Sequence, residues 1–234
     1  MKTVEGLIKK TLRFVLPDNR YRILGSSRTD AMVSAEESAF ELFLWDEPLA
    51  DPEKFLALFN LNLPPDIAAF YIEEVDQKFN IIQHPKRKEY IYLFASGEKS
   101  HPFCAPLLAT LQEELDIKLM KAGAKIFEGQ HHFENYCTRA SPGMKFNREI
   151  VKSEIAENNF ITASFFPEKT YMYTVAGSGF LRNQIRLMMG TLILVGRGEI
   201  SLEELQKSLI PGNKIEINYV APASGLILKN ISFN

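Results

Sequence analysis

Residues Ser26–Ala35 read SSRTDAMVSA and follow the apolar run Tyr21-Arg22-Ile23-Leu24-Gly25. The run has the composition of a short strand, and Gly25 with two serines closes it. Asp is poor inside strands and good in turns, so Asp30 is expected on a loop just beyond a strand end. A rigid scaffold can aim a carboxylate from such a loop, and loops are where catalytic groups concentrate. Arg28, two residues earlier, could hold a phosphate or fix the loop. The competing interpretation is a surface turn with an Arg–Asp pair. This stretch alone leaves both open.

Working outward on the N-terminal side, Val4, Leu7, Ile8, Leu12 and Val15 have the spacing of an amphipathic helix, ended by Pro17-Asp18-Asn19. On the other side, Ala39–Trp45 (AFELFLW) predicts a buried strand. Pro52–Leu61 predicts a helix capped by Asp51 and ended by Leu63-Pro64-Pro65. Ala68–Lys78 predicts a further strand. A boundary near residue 80 divides the chain into two sub-domains, residues 1–80 and 81–234.

The second half opens with Arg87–Phe94 (RKEYIYLF), an alternating strand that puts Tyr90, Tyr92 and Phe94 on one face. Three aromatics on a face most often mean core packing; the alternative is that one ring stacks on a nucleobase, with Arg87 or Lys88 nearby for a phosphate. Leu107–Met120 predicts a helix. Runs near 150–156, 160–166 and 170–177, separated by turn residues, predict an antiparallel meander. His131 and His132 are adjacent, but four His and two Cys lack zinc-like spacing, so no metal site is expected.

Phe180–Gly198 (FLRNQIRLMMGTLILVGRG) predicts a long helix with an apolar stripe through Leu181, Ile185, Met188, Leu192 and Val195. Arg182 and Arg186 would share one face of it, and Gly190 would let another segment approach closely. Arginine beside an apolar stripe suggests a carboxylate or phosphate partner, or else a solvated face. Ser201–Leu209 predicts a short helix with a capping box, and Gly225–Ile231 a last strand.

Composition limits the function classes. With 46% apolar and 24% charged residues, the chain reads as an ordinary globular protein. No apolar run approaches the roughly 18 residues of a membrane span. The opening MKTVEGLIKK lacks the apolar core of a signal peptide. Two cysteines, Cys104 and Cys137, make no disulfide framework. A soluble, cytoplasmic protein is expected. Net charge is −2, but residues 1–80 carry 9 Lys and Arg against 14 Asp and Glu, and residues 81–234 carry 18 against 15. A local basic face in the second half is therefore possible despite the overall sign.

R-T-D-A with V-x-A, the K-x-Y-x-Y strand, a G-x-H-x-F segment and F-L-R-x-x-I-R-x-x-x-G-T-L-x-x-V-G-x-G occur in that order. This ordered set resembles the TruA family of tRNA pseudouridine synthases, from about Thr3 to near the C-terminus. The resemblance implies an α+β fold with two sub-domains, each a mainly antiparallel sheet with helices on one face, and an active cleft between them. It implies an isomerase that converts uridine to pseudouridine in the anticodon stem-loop of tRNA (positions 38–40 of the tRNA), without cofactor or metal, as a homodimer. Asp30 matches the family's catalytic aspartate, Tyr90 its active-site tyrosine and Arg186 the arginine that pairs with the aspartate. Arg28 matches the loop arginine thought to help flip the nucleotide, a step needed before a carboxylate can reach a stacked base. Arg182 and Lys88 are candidate RNA contacts.

Several positions depart from the pattern. Ser27 and Met32 stand where many relatives have glycine, Ser34 where histidine is usual, and His132 where an acidic residue is usual. If the Met32 position needs a positive φ, methionine is strained there. The family's opening strand, with its Y-x-G-x-x-[YF]-x-G-[WF] segment, does not occur ahead of the first helix: either Met1 is an internal or misassigned start, or the protein manages without that strand, whose loss would leave strand edges open. These departures keep an RNA-binding module without turnover as the alternative. A carboxylate-dependent hydrolase lacks a second acid or nucleophile constellation.

Overall fold

A computed structural model describes residues 3–233. In chain order the elements are α1 (Val4–Val15), β1 (Tyr21–Gly25), β2 (Ser34–Ala35), β3 (Phe40–Leu44), α2 (Pro52–Asn62) and β4 (Arg87–Ser96). Then follow β5 (Ala109–Leu111), α3 (Ile117–Ile126), β6 (Gly129–His132), β7 (Asn147–Glu157) and β8 (Tyr171–Gly177). The chain ends with α4 (Gln184–Gly196), α5 (Leu202–Ser208) and β9 (Leu226–Ser232). The fold is α+β. It divides into two compact units, one of Met1–Arg28 with Ala39–His84 and one of Thr29–Ser38 with Pro85–Asn234.

In the first unit, Thr3 caps α1 by accepting from the Gly6 amide, and Asp51 caps α2 by accepting from Lys54. Strands β1 and β3 pair antiparallel, Tyr21 opposite Leu44 and Gly25 opposite Phe40. Leu12, Leu16, Ile23 and Phe59 form the core, with the Phe55 and Phe59 rings stacked at 5.7 Å. The strand expected over Ala39–Trp45 forms but is only half buried, and Trp45 at its end is exposed. The strand expected over Ala68–Lys78 does not form. No strand among the described residues runs beside this segment, and an unpaired strand has no ladder to hold it. Instead Asn60 clamps Ala69 through both its side-chain atoms, at 2.7 and 2.8 Å, leaving Phe70 and Tyr71 exposed.

The second unit is built on one sheet in the order β2-β9-β4-β8-β7-β6, with β5 beside β4. The β2–β9 and β4–β5 pairs are parallel and the others antiparallel. Central strand β4 is buried on both faces, which explains its near-continuous apolar run. Tyr90, Tyr92 and Phe94 face the core that α3, α4 and α5 share, through Met120, Met188 and Leu205 among others. Ile91, Leu93 and Ala95 face the opposite side, covered by Cys104, Leu108 and the loop residues Phe160, Ile161 and Phe166.

Three expectations are corrected here. The helix expected over Leu107–Met120 is β5 followed by α3, because Ala109–Leu111 pairs with Phe94–Ser96 and Asp116 caps the helix only from Ile117. Residues 160–166 form no strand. Asn158 folds them into a loop, accepting from the Phe160 and Ile161 amides and donating to the Ile161 carbonyl at 2.7 Å. The long helix expected over Phe180–Gly198 starts only at Gln184, since Asn183 takes a left-handed conformation at φ 60°. Arg182 therefore precedes the helix and does not share a helical face with Arg186. α4 is also buried on nearly every side rather than along one stripe.

Candidate active site

Asp30 lies on the turn that leads into β2, where the Val33 amide donates to the Asp30 carbonyl at 3.2 Å. Val33 packs against the main core and anchors the turn to the second unit. β2 continues that attachment: Ser34 and Ala35 pair with Ile227 and Leu228, and the Glu36 amide donates to the Leu228 carbonyl at 2.8 Å. Met32, at the tip, has φ 69° and is 73% exposed. This is a backbone conformation that suits glycine, held here by a methionine whose side chain gains no burial in return.

Arg186 lies in the first turn of α4 and reaches the Asp30 loop. Its Nη1 donates to Asp30 Oδ2 at 3.0 Å, and its Nε donates to the Ala221 carbonyl at 2.8 Å. The side chains are 18% and 36% exposed respectively, so the pair is half sheltered from solvent. The guanidinium is thus held at two points, a use that suits its planar fork.

The segment that supplies Ala221 is fixed in turn. Its amide donates back to the Arg186 carbonyl at 3.1 Å, and Tyr92 Oη donates to the Pro222 carbonyl at 2.8 Å. A Cβ added at Gly190 would stand 2.0 Å from the Tyr219 carbonyl oxygen, so glycine is what permits the segment to lie on α4. Burial pushes the Tyr92 phenol well above its ordinary range, keeping it a donor, while the Arg186 charge acts the other way. Residues 219–222 were not identifiable as site supports from the sequence; the one signal was Gly190.

Tyr90 sits on β4 opposite Val175 of β8 and Leu228 of β9, with its ring edge-on to Phe180 at 5.4 Å. It belongs to the core against which Val33 of the Asp30 turn packs. Lys88 is two residues earlier on the same face, and its burial lowers the amine below the usual lysine range. Arg182 is exposed on the turn before α4. Arg28 is exposed at the end of a segment of the first unit, two residues before Asp30 in the chain. The structure therefore joins Asp30 to Arg186 directly and places Tyr90 in the core behind their loop.

The two histidines serve local contacts. His131 Nε2 meets the Glu128 carbonyl at 2.8 Å, and His132 Nδ1 meets Asn147 Oδ1 at 3.0 Å. Among the described residues no group of His, Cys, Asp and Glu could hold a metal ion, and no helix is long and apolar enough to cross a membrane.

Comparison with known proteins identifies the family. Residues 124–234, which include α4 and β9, match the family model described as tRNA pseudouridine synthase. The chain is 32% identical over 231 residues to a Bacillus cereus protein named tRNA pseudouridine synthase A 2, covering 99% of this chain and 89% of the relative. The chain belongs to the tRNA pseudouridine synthase family. The synthase is also 29% identical to tRNA pseudouridine synthase A of Dictyoglomus thermophilum, with 99% of this chain and 90% of the relative covered. The corresponding protein of Leuconostoc mesenteroides is 27% identical, with 100% and 89% covered. The family match starts in α3 and omits the Asp30 loop, whereas these relatives span nearly the whole chain.

Proposed function

We propose that the synthase isomerises uridine to pseudouridine in the anticodon stem-loop of tRNA, at positions 38–40, with Asp30 as the catalytic carboxylate. The observation that carries this reading is the 3.0 Å contact between Asp30 and an Arg186 whose other arm is tied to Ala221. An oriented carboxylate, half sheltered and fixed from behind, is what covalent catalysis by Asp requires. Asp30 attacks the flipped uridine at the base or the sugar as the glycosidic bond breaks. The freed uracil turns, a carbon–carbon bond forms between its C5 and the sugar as the bond to Asp30 breaks, and the C5 proton leaves while N1 takes up a proton. Atoms are rearranged with no net oxidation, so the balance calls for no redox cofactor. Tyr90 packs on the base and assists removal of the C5 proton. Arg28 helps hold the nucleotide out of the stack, Lys88 and Arg182 contact the RNA backbone, and the active form is a homodimer.

The test is pseudouridine mapping on unmodified tRNA incubated with wild type and with Asp30→Ala. Product in the anticodon arm with wild type alone supports the reading. Product elsewhere in the tRNA refutes the site preference, and equal product from Asp30→Ala refutes the role of the aspartate. Binding without product in either form would turn the reading to an RNA-binding module.

A further inference from the structure

Residues 213–222 form a strap without regular secondary structure, and its last part lies on α4. Asn135 holds the start of the strap, donating to the Asn213 carbonyl at 2.8 Å and accepting from the Ile215 amide at 3.3 Å. Arg186 and Tyr92 hold its end, at Ala221 and Pro222. Between those points the backbone of residues 216–220 makes no hydrogen bond among the described residues. The middle of the strap is therefore placed by side chains.

The contact found there joins Tyr219 to Arg197, whose guanidinium lies over the ring, 5.1 Å from its centre. Arg197 stands at the C-terminal end of α4. Residues 186, 190 and 197 follow the i, i+4, i+11 spacing of one helical face, so that face carries an arginine at each end and a glycine between them. Gly190 admits the Tyr219 carbonyl, Arg186 takes Ala221, and Arg197 takes the Tyr219 ring. Arg197 is itself fixed. Its two Nη atoms pair with Glu113 and Glu199, which leaves the flat face of the guanidinium for the ring. Its Nε is buried without a hydrogen-bond partner among the described residues, unlike a solvated arginine at a helix end. Tyr219 also neighbours the support of Arg186. Burial and then Tyr219 raise the Tyr92 phenol, while Arg186 acts the other way. The V-G-x-G pattern leaves position 197 open, and in this chain an arginine fills it.

We infer that Arg197 and Tyr219 are positioning residues for the reaction: their stack fixes the strap along α4 and so sets the Ala221 carbonyl that orients Arg186 against Asp30. The inference rests on the proposed role of Asp30 and extends its support to the far end of the helix. Small displacements of a group that holds a reacting carboxylate are costly in rate, while substrate affinity need not change. A cation at the C-terminus of α4 would also favour the helix dipole. That role needs only the charge and no ring, so suitable variants separate the two.

The experiment compares wild type with Tyr219→Leu, Tyr219→Phe and Arg197→Lys. It measures steady-state isomerisation of an unmodified tRNA transcript and, by NMR, solvent exchange of the Arg186 Nε proton, identified by its loss in Arg186→Lys. Thermal melts check that each variant is folded at the assay temperature. In Tyr219→Leu, kcat falls about threefold to thirtyfold while KM stays within about twofold. Exchange of the Arg186 Nε proton, which the Ala221 carbonyl accepts in wild type, quickens about tenfold or more. Arg197→Lys keeps the charge but not the flat stack, and moves both readouts the same way. Tyr219→Phe keeps the ring and stays within about twofold of wild type. Wild-type kcat in Tyr219→Leu or Arg197→Lys, a Phe variant as slow as the Leu variant, or unmoved exchange at Arg186 overturns the inference. If wild type makes no pseudouridine, the exchange readout decides alone. Faster exchange in Tyr219→Leu then upholds the brace while the proposed chemistry falls, and unmoved exchange ends both.

Discussion

At the scale of single residues, the site depends on groups whose roles are set by what stands behind them. Arg186 is oriented by Ala221 as much as by Asp30, and Tyr90 is oriented by Phe180. Met32 is the residue out of step with its backbone. At φ 69° a side chain with a Cβ costs roughly 1–2 kcal/mol relative to the right-handed region, and this one is exposed, so no packing offsets the cost. Glycine removes that strain but adds unfolded-state entropy worth about 0.4–1 kcal/mol. Met32→Gly is therefore expected to stabilise the protein by up to about 1 kcal/mol, and the β-branched Met32→Val to destabilise it by a similar amount or more. Denaturant midpoints of the two variants check this, and a Val variant as stable as the Gly variant would sink it. The sequence flagged this position through its missing glycine, and the structure shows the conformation behind the flag.

At the scale of elements, the decisive contact is the backbone of residues 219–221 lying on α4. An alanine Cβ at Gly190 would meet a carbonyl oxygen at 2.0 Å, and backbone cannot rotate away as a side chain can. Gly190→Ala is expected to push the segment off the helix, loosening the Ala221 carbonyl from Arg186. The cost is roughly 1–3 kcal/mol, a fall in Tm of several degrees for a chain of this size, together with reduced turnover. Gly179→Ala is the matched control, because a Cβ there meets nothing within 4 Å. Thermal melts and initial rates on both variants test the contact; a Gly190 variant indistinguishable from the Gly179 variant would refute it. The stripe Leu181, Ile185, Met188, Leu192 and Val195 predicted an amphipathic helix, and all five residues are indeed buried. It could not show that the opposite face is buried too, since that depends on the segment crossing at Gly190.

At the scale of the whole molecule, the chain does not divide at one point. Thr29–Ser38 leaves the first unit, joins the sheet of the second beside β9, and carries Asp30 with it. The first unit has a small core of Leu12, Leu16, Ile23 and Phe59 under a two-stranded sheet, an arrangement of marginal stability on its own. The second has a central strand buried on both faces. Native-state hydrogen exchange is therefore expected to show the Ser26 and Trp45 amides, bonded to the Ala39 and Arg20 carbonyls, opening at lower free energy than those of Ile91 and Leu93. The Glu36 amide, bonded to Leu228, should retain protection when the first unit opens. Loss of Glu36 protection together with Ser26 would show that the Asp30 segment belongs energetically to the first unit.

The sequence by itself determined the helices with strong caps and periodicity, α1, α2 and α5, and the strands with continuous apolar runs, β4 and β8. Their signals are local, so neighbours in the chain suffice to specify them. It also determined the family, because the RTD loop and the FLR helix carry their residue types in a fixed order. Tertiary structure alone decided the rest. Residues 68–78 and 160–166 have strand-like composition but no partner strand among the described residues, and pairing is a property of two segments. Asn183 ended the helical reading early because its left-handed backbone is held by Thr138, 45 residues away. Asp30 and Arg186 are 156 positions apart in the chain, and the 3.0 Å contact between them exists because β2 docks on β9 while residues 219–221 brace α4.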